Sequence, residues 1–219
     1  MKIIDLSEEI YDGQRSHFNV TVRDFLTHAH TAPRLAKPAE GYGTKLLMMP
    51  DHVSTHVDAP SHYWPDRNNI DEVPIERFCG EAIVIDFSQD PTGGGVIDVE
   101  MFEEALGESG LELRADDIVL FHVTRDGETV YEGISADLAD HFVNRGTKMV
   151  GIDRGTVDAG FHKHKPAHVI LLQNDVPIIE GLRHLDRVVN QRIMFFGLPL
   201  KIRGGTGSPI RAVGVLDWR

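Results

Sequence analysis

Residues 51 to 66 read DHVSTHVDAPSHYWPD, which sets His52, His56, Asp58 and His62 in an H-x3-H-x-D-x3-H array. Imidazole nitrogens and carboxylate oxygens are ligands of catalytic divalent metals. Two histidines and one acid leave a coordination position open for water. Asp58 carries two oxygens and could bridge a second ion. His62 lies past Pro60, either as a further ligand or as a free acid–base group. A single histidine is usually a packed or surface residue; four such groups at this spacing are hard to explain that way. The array is not H-E-x-x-H, so a helical metalloprotease has no support.

The backbone that must carry these groups is extended and bent. Val53, Thr55 and Val57 favour extended structure, and Pro60 opposes a helix running through it. In a strand His52, Ser54, His56 and Asp58 share one face. A straight strand holds His52 and His56 about 13 Å apart, near the limit for sharing one ion, so the chain must bend or leave the sheet here. His56 and Asp58, about 7 Å apart, converge easily.

Around the array the hydrophobic pattern predicts alternating elements. KIIDLS opens as a short strand, and residues 12 to 44 form an irregular excursion with Pro33, Pro38, Gly41 and Gly43. KLLMMP (45–50) is expected as a buried strand. EAIVIDF (81–87), DIVLFHV (117–123) and KMVGID (148–153) are β-branched apolar runs. Between them, Asp98 caps a helix bearing Val99, Phe102 and Leu106, and Ser135 caps one bearing Leu138, Phe142 and Val143, stopped by Gly146. PAHVILLQND is a further helix, VPIIEGL is strand-like, and IMFFGLPLKI and PIRAVGVLDW supply the last strands. This rhythm argues for an α/β domain with some parallel pairing.

Composition narrows the function classes. The net charge is −12, from 22 basic and 34 acidic residues, with no basic stripe, so nucleic acid is not an expected partner. One cysteine, Cys79, allows no disulfide within the chain and fits a reducing compartment. No apolar run reaches the roughly 18 residues needed to span a membrane. The first thirty residues lack a secretory pattern, so the cytoplasm is expected. Gly93-Gly94-Gly95 lacks the Lys-Ser/Thr of a phosphate loop and reads as a turn. No G-x-S-x-G elbow is present.

The array His52-Val53-Ser54-Thr55-His56-Val57-Asp58-Ala59-Pro60-Ser61-His62 resembles the signature of the cyclase family of metal-dependent hydrolases. That family includes bacterial arylformamidases (kynurenine formamidases) and isatin hydrolases. Further matches are Asp5-Leu6-Ser7 with Gly13; Gly151-Ile152-Asp153 with Asp158; His168-Val-Ile-Leu-Leu with Val176-Pro-Ile-Ile-Glu180-Gly-Leu; and Gly207-Ser208-Pro209 with Arg211. Thr206 stands where an acidic residue is common, and the Gln14-Arg15-Ser16-His17 stretch departs from the family's opening.

The resemblance implies a single domain over residues 1–219, with a mixed, partly barrel-like central sheet flanked by helices, of the swivelling β/β/α type. It implies that His52, His56, Asp58, His168 and Glu180 bind one or two divalent ions, Zn2+ or Mn2+, and that His62 transfers protons. It also implies a homodimer or higher homo-oligomer. Read on its own, Glu180 supports the second block: a carboxylate among Ile178, Ile179 and Leu182 is costly to bury unless something positive meets it. His162 and His164, among lysines, read as surface residues. Trp64, Phe18 and Phe25 are candidate substrate contacts, and Trp64 could equally be packing.

The expected chemistry is hydrolysis of the C–N bond of a small amide, an aryl formamide or a cyclic lactam, with His62 as acid and base. Alternatives are a metal-dependent cyclase or lyase acting on a small carbonyl compound, a lactonase, or a metal-binding protein without turnover. A retained His62 argues against the last.

Overall fold

A central sheet buried on both faces dominates the computed structural model, which describes residues 1–15, 19–90, 93–159 and 163–218. In chain order the strands and helices are β1 (Lys2–Asp5), β2 (Thr21–Leu26), α1 (His28–Thr31), β3 (Thr44–Met48), β4 (His56–Asp58), β5 (Cys79–Asp86), α2 (Val99–Ser109) and β6 (Ile118–His122). There follow β7 (Thr124–Arg125), β8 (Glu128–Thr129), α3 (Ala136–Asn144), β9 (Met149–Ile152), α4 (Pro166–Gln173), β10 (Ile178–Glu180), β11 (Arg192–Phe196), β12 (Gly207–Pro209) and β13 (Val213–Leu216).

Nine strands form one curled half-barrel in the order β1-β13-β11-β5-β6-β9-β10-β4-β12. Strands β5, β6, β9 and β10 are parallel, and antiparallel strands flank them on both sides. The sheet is therefore mixed and partly barrel-like, as expected.

The parallel strands read as continuous apolar runs because each face meets its own core. Ile83, Ile85, Val119, Phe121, Val150 and Ile152 pack under the helices with Phe102, Phe142 and Leu171. Their neighbours Ala82, Val84, Ile118, Leu120 and Met149 fill the other side with Phe78, Ile193 and Phe195. Asp98 caps α2 through Met101 N–H, and Ser135 caps α3 through Leu138 N–H. These caps stand where the sequence places them.

The region before the array differs from expectation. Residues 12 to 44 hold strand β2 as well as a short helix, and β3 is exposed along its whole length rather than buried. Strand β3 pairs only with β2, in a separate two-stranded ribbon. Leu46, Leu47 and Met48 are 53, 55 and 65% exposed, because no second layer among the described residues covers the ribbon. An apolar run identifies a strand; it does not say which chain buries it.

Candidate metal centre

Two neighbouring strands near one end of the sheet, β10 and β4, and one helix end build the centre. Residues 51 to 55 bend, with Ser54 at φ 59°, before the three residues of β4 begin. The bend brings His52 back onto Asp58, across a span that a straight strand would hold apart. On β4, His56 and Asp58 face the helical side while Val57 enters the opposite core. Antiparallel pairing sets Glu180 of β10 directly across from His56. His168 descends from the first turn of α4, whose start is fixed by Pro166. Close approach depends on two glycines. A Cβ on Gly181 would meet the Ser54 carbonyl oxygen at 2.5 Å, and one on Gly207 the His52 ring at 2.5 Å.

Each histidine commits its outer nitrogen as a donor. His56 Nδ1 donates to the Ser54 carbonyl at 2.9 Å, and His168 Nδ1 to Asp158 Oδ2 at 2.6 Å. Thr206 Oγ1 donates to Asp51 Oδ2 and accepts from His52 Nε2 at 2.9 Å. In the neutral tautomers so assigned, the inner nitrogens are lone pairs. These lone pairs face carboxylates. His52 Nδ1 lies 2.6 Å from Asp58 Oδ1, and His56 Nε2 lies 3.5 Å from Asp58 Oδ1 and 3.6 Å from Glu180 Oε2. His168 Nε2 lies 3.4 Å from Asp58 Oδ2 and 3.2 Å from Glu180 Oε1.

Acceptors aimed at acceptors require a positive charge between them. Asp58 Oδ2 is buried with no hydrogen-bond partner, although Asp58 is 1% exposed. Ligand atoms within 4.8 Å of one another form two groups, His52–His56–Asp58 and Asp58–His168–Glu180, which share Asp58. This donor set fits one or two divalent cations.

Without a cation, protons serve. Burial opposes a charge on His168, but the carboxylates of Asp158, Asp58 and Glu180 around the ring hold its pKa well above the ordinary histidine value. His52 is raised in the same way, burial being outweighed by Asp58, then Asp51. Burial would raise Asp58, yet His168, His52 and His56 hold it well below the usual carboxylate range. His62 belongs to neither ligand group. Its ring stacks on His52 at 3.9 Å with an open edge toward solvent. Shielding by the surrounding protein lowers its pKa; Asp58 opposes that shift, and the neighbouring His52 reinforces it.

The centre floors a cleft of about 1280 Å³, also lined by His62, Tyr63, Gln14, Arg15, Lys165 and Arg183. Of the remaining sequence candidates, Trp64 donates its indole N–H to the Val169 carbonyl and packs on the core; it is not among the cleft-lining residues. Phe25 is 67% exposed on the ribbon, away from the cleft. Phe18 and His162 lie outside the described residues, and His164 is exposed.

Sequence reasoning did not assign Asp158, which accepts from Ala167 N–H, His168 N–H and the His168 ring. The signal was its place in a loop directly after the Thr156–Val157 pair that approaches Glu180, where Val157 N–H donates to Oε1 at 2.7 Å. Tyr63, stacked on His168 at 4.9 Å, was also missed, although it adjoins His62 in the array.

A family model named Cyclase, described as "Putative cyclase", matches residues 4–159. The chain belongs to this cyclase family. Among curated relatives, this cyclase-family chain is 32% identical over 179 residues to cyclase-like protein 3 of Oryza sativa subsp. japonica, covering 76% of the chain and 63% of that protein. The chain thus spans less than two thirds of the rice protein. It is 31% identical over 172 residues to a kynurenine formamidase of Salinibacter ruber, covering 76% of the chain and 77% of that protein. A solved structure of isatin hydrolase A from Labrenzia aggregata, bound to benzyl benzoate, superposes with a TM-score of 0.81 at 22% identity, covering 97% and 93% of the two chains. That likeness establishes a shared fold.

Proposed function

We propose that this chain is a metal-dependent amidohydrolase that cleaves the C–N bond of a small amide, an aryl formamide or a cyclic lactam. The reading rests on three imidazole lone pairs and two buried carboxylates gathered in two groups that share Asp58, beside a histidine left out of both. The named activity of the formamidase relative supports the amide class.

His52, His56, Asp58, His168 and Glu180 would hold Zn2+ or Mn2+, with Asp58 shared if two ions bind. When bound, the ion supplies Lewis acidity toward a carbonyl oxygen and lowers the pKa of water. His62, kept neutral near pH 7 by its lowered pKa, takes a proton from the attacking water and returns it to the leaving nitrogen. Tyr63 forms an aromatic wall beside His168. Arg15 and Lys165 line the cleft without carboxylate partners among the described residues and orient a polar or anionic end of the substrate.

Assembly and location belong to the same proposal. The bare apolar ribbon, with Phe25, Leu46, Leu47 and Met48 exposed, supports a homodimer or higher homo-oligomer. A Leu47→Glu variant is expected to shift toward monomer in light scattering. The lone Cys79 supports a cytoplasmic setting, and no helix among the described residues is long and apolar enough to cross a membrane.

The deciding experiment assays the zinc- or manganese-loaded protein on N-formylkynurenine, isatin and simple lactones, with mass spectrometry of the product. Gain of one water on an amide supports the proposal. A rearranged product of unchanged mass replaces it with a cyclase or lyase, and turnover of lactones alone replaces it with a lactonase.

A further inference from the structure

A second cavity, of about 320 Å³, opens where the parallel strands β5, β6 and β9 end. Crevices outside the carboxyl ends of parallel strands are where α/β sheets bind ligands. His122, the last residue of β6, forms part of its wall and is 8% exposed. Its Nδ1 lies 2.5 Å from Asp153 Oδ2. Asp153 also accepts from Val123 N–H at 2.9 Å and Thr124 O–H at 2.7 Å, so it acts only as an acceptor and His122 Nδ1 carries hydrogen. Nothing among the described residues bonds His122 Nε2. A buried ring is thus oriented by one nitrogen and left with the other unpartnered beside a cavity.

The cavity wall gives the ligand's charge. Arg125, on β7 at the rim, is exposed and makes no side-chain hydrogen bond or ion pair among the described residues. Burial opposes protonation of His122, but Asp153, then Asp86 and Asp186, hold its pKa above the ordinary value. A protonated ring presents Nε2–H as a donor. Arg183 and His184 also line the cavity; Arg183 already pairs with Glu8 at 2.8 Å. Asp126 and Asp186 at the rim oppose a multiply charged anion. Metal-type groups of three ligands gather only around Asp58 among the described residues, so a cation site is not indicated here.

We propose that this cavity is a second binding site, separate from the metal centre, for a small monocarboxylate held between His122 Nε2 and Arg125. Arg183 lines both cavities, which places the second ligand one side chain away from the metal-centre cleft.

The test is titration of the metal-loaded protein with acetate, followed through the histidine ring signals and the Val123 and Thr124 amides by NMR. The His122 ring signals should shift saturably, with a dissociation constant of about 1–10 mM for so small a ligand. Arg125→Ala, at an exposed position that leaves the fold alone, should weaken binding about threefold. In His122→Asn the two amides should no longer respond. Acetate that moves only the metal-centre histidines, or an unchanged titration in Arg125→Ala, overturns the proposal.

Discussion

Asp158 gives the sharpest test of how the centre is built, because two small substitutions there should fail in different ways. The carboxylate accepts from Ala167 N–H at 2.9 Å, from His168 N–H at 3.1 Å and from His168 Nδ1 at 2.6 Å. It therefore fixes the start of α4 and the tautomer of the His168 ring. Asp158→Asn keeps an oxygen for the backbone but can turn an N–H toward His168 Nδ1. The ring then accepts at Nδ1 and carries its hydrogen at Nε2, aimed at Asp58 and Glu180 where a lone pair is needed. Loss of such an outer-shell partner weakens metal binding 10–100-fold, or about 1.4–2.8 kcal/mol. Asp158→Ala removes the acceptor without imposing the wrong tautomer. It should cost about 1–2 kcal/mol of stability through the uncapped helix start, with a smaller loss of metal affinity. Chelator competition measures affinity, and urea denaturation measures stability. Equal metal affinity in Asp158→Asn and the parent protein would refute the tautomer reasoning.

Three further outcomes are expected. His62→Ala should keep its metal by elemental analysis yet lose roughly 10²- to 10⁴-fold in turnover, the usual worth of a positioned proton-transfer group. Asp58→Ala removes the carboxylate common to both ligand groups, so the purified variant should carry little metal even after incubation with zinc or manganese. His122 is stabilised in its charged form by Asp153, so its folded pKa lies above its unfolded one. Its contribution to stability is complete below about pH 6.5 and is lost as pH rises through the folded pKa. The urea midpoints of the parent protein and His122→Asn should therefore converge toward alkaline pH.

The sheet was readable because strands buried on both faces leave uninterrupted apolar runs, and Asp98 and Ser135 mark helix starts by chemistry that acts within three residues. The array from His52 to His62 was readable for the same reason: its groups are local, and Pro60 with the β-branched neighbours limits the backbone. Glu180 was readable only as an acid out of place among isoleucines. What stayed hidden depends on distant partners. Asp158 acquires its role from the backbone of Ala167, nine residues on, His122 from Asp153 just past the end of a neighbouring strand, and β3 its exposure from the lack of a covering layer among the described residues. Periodicity records that a side chain prefers burial or a hydrogen bond, but not which element supplies it.

Charge balance explains why these scattered residues act as one unit. Asp58 and Glu180 are 1% and 5% exposed, and neither is near a lysine or arginine that could neutralise it by a direct ion pair. Among the described residues the three imidazoles of His52, His56 and His168 are the basic groups within 4 Å of these carboxylates, and each is turned so that its outer nitrogen donates and its inner nitrogen faces a carboxylate. Protons on those inner nitrogens and a divalent cation among them are alternative solutions to one electrostatic problem, so they compete. Cation uptake must therefore release protons, and its affinity must fall as the solution becomes acidic. Calorimetric titration of metal into the stripped protein, in buffers of differing ionisation enthalpy, measures that release directly. A proton count of zero near neutral pH would mean that the inner nitrogens are not the ligands.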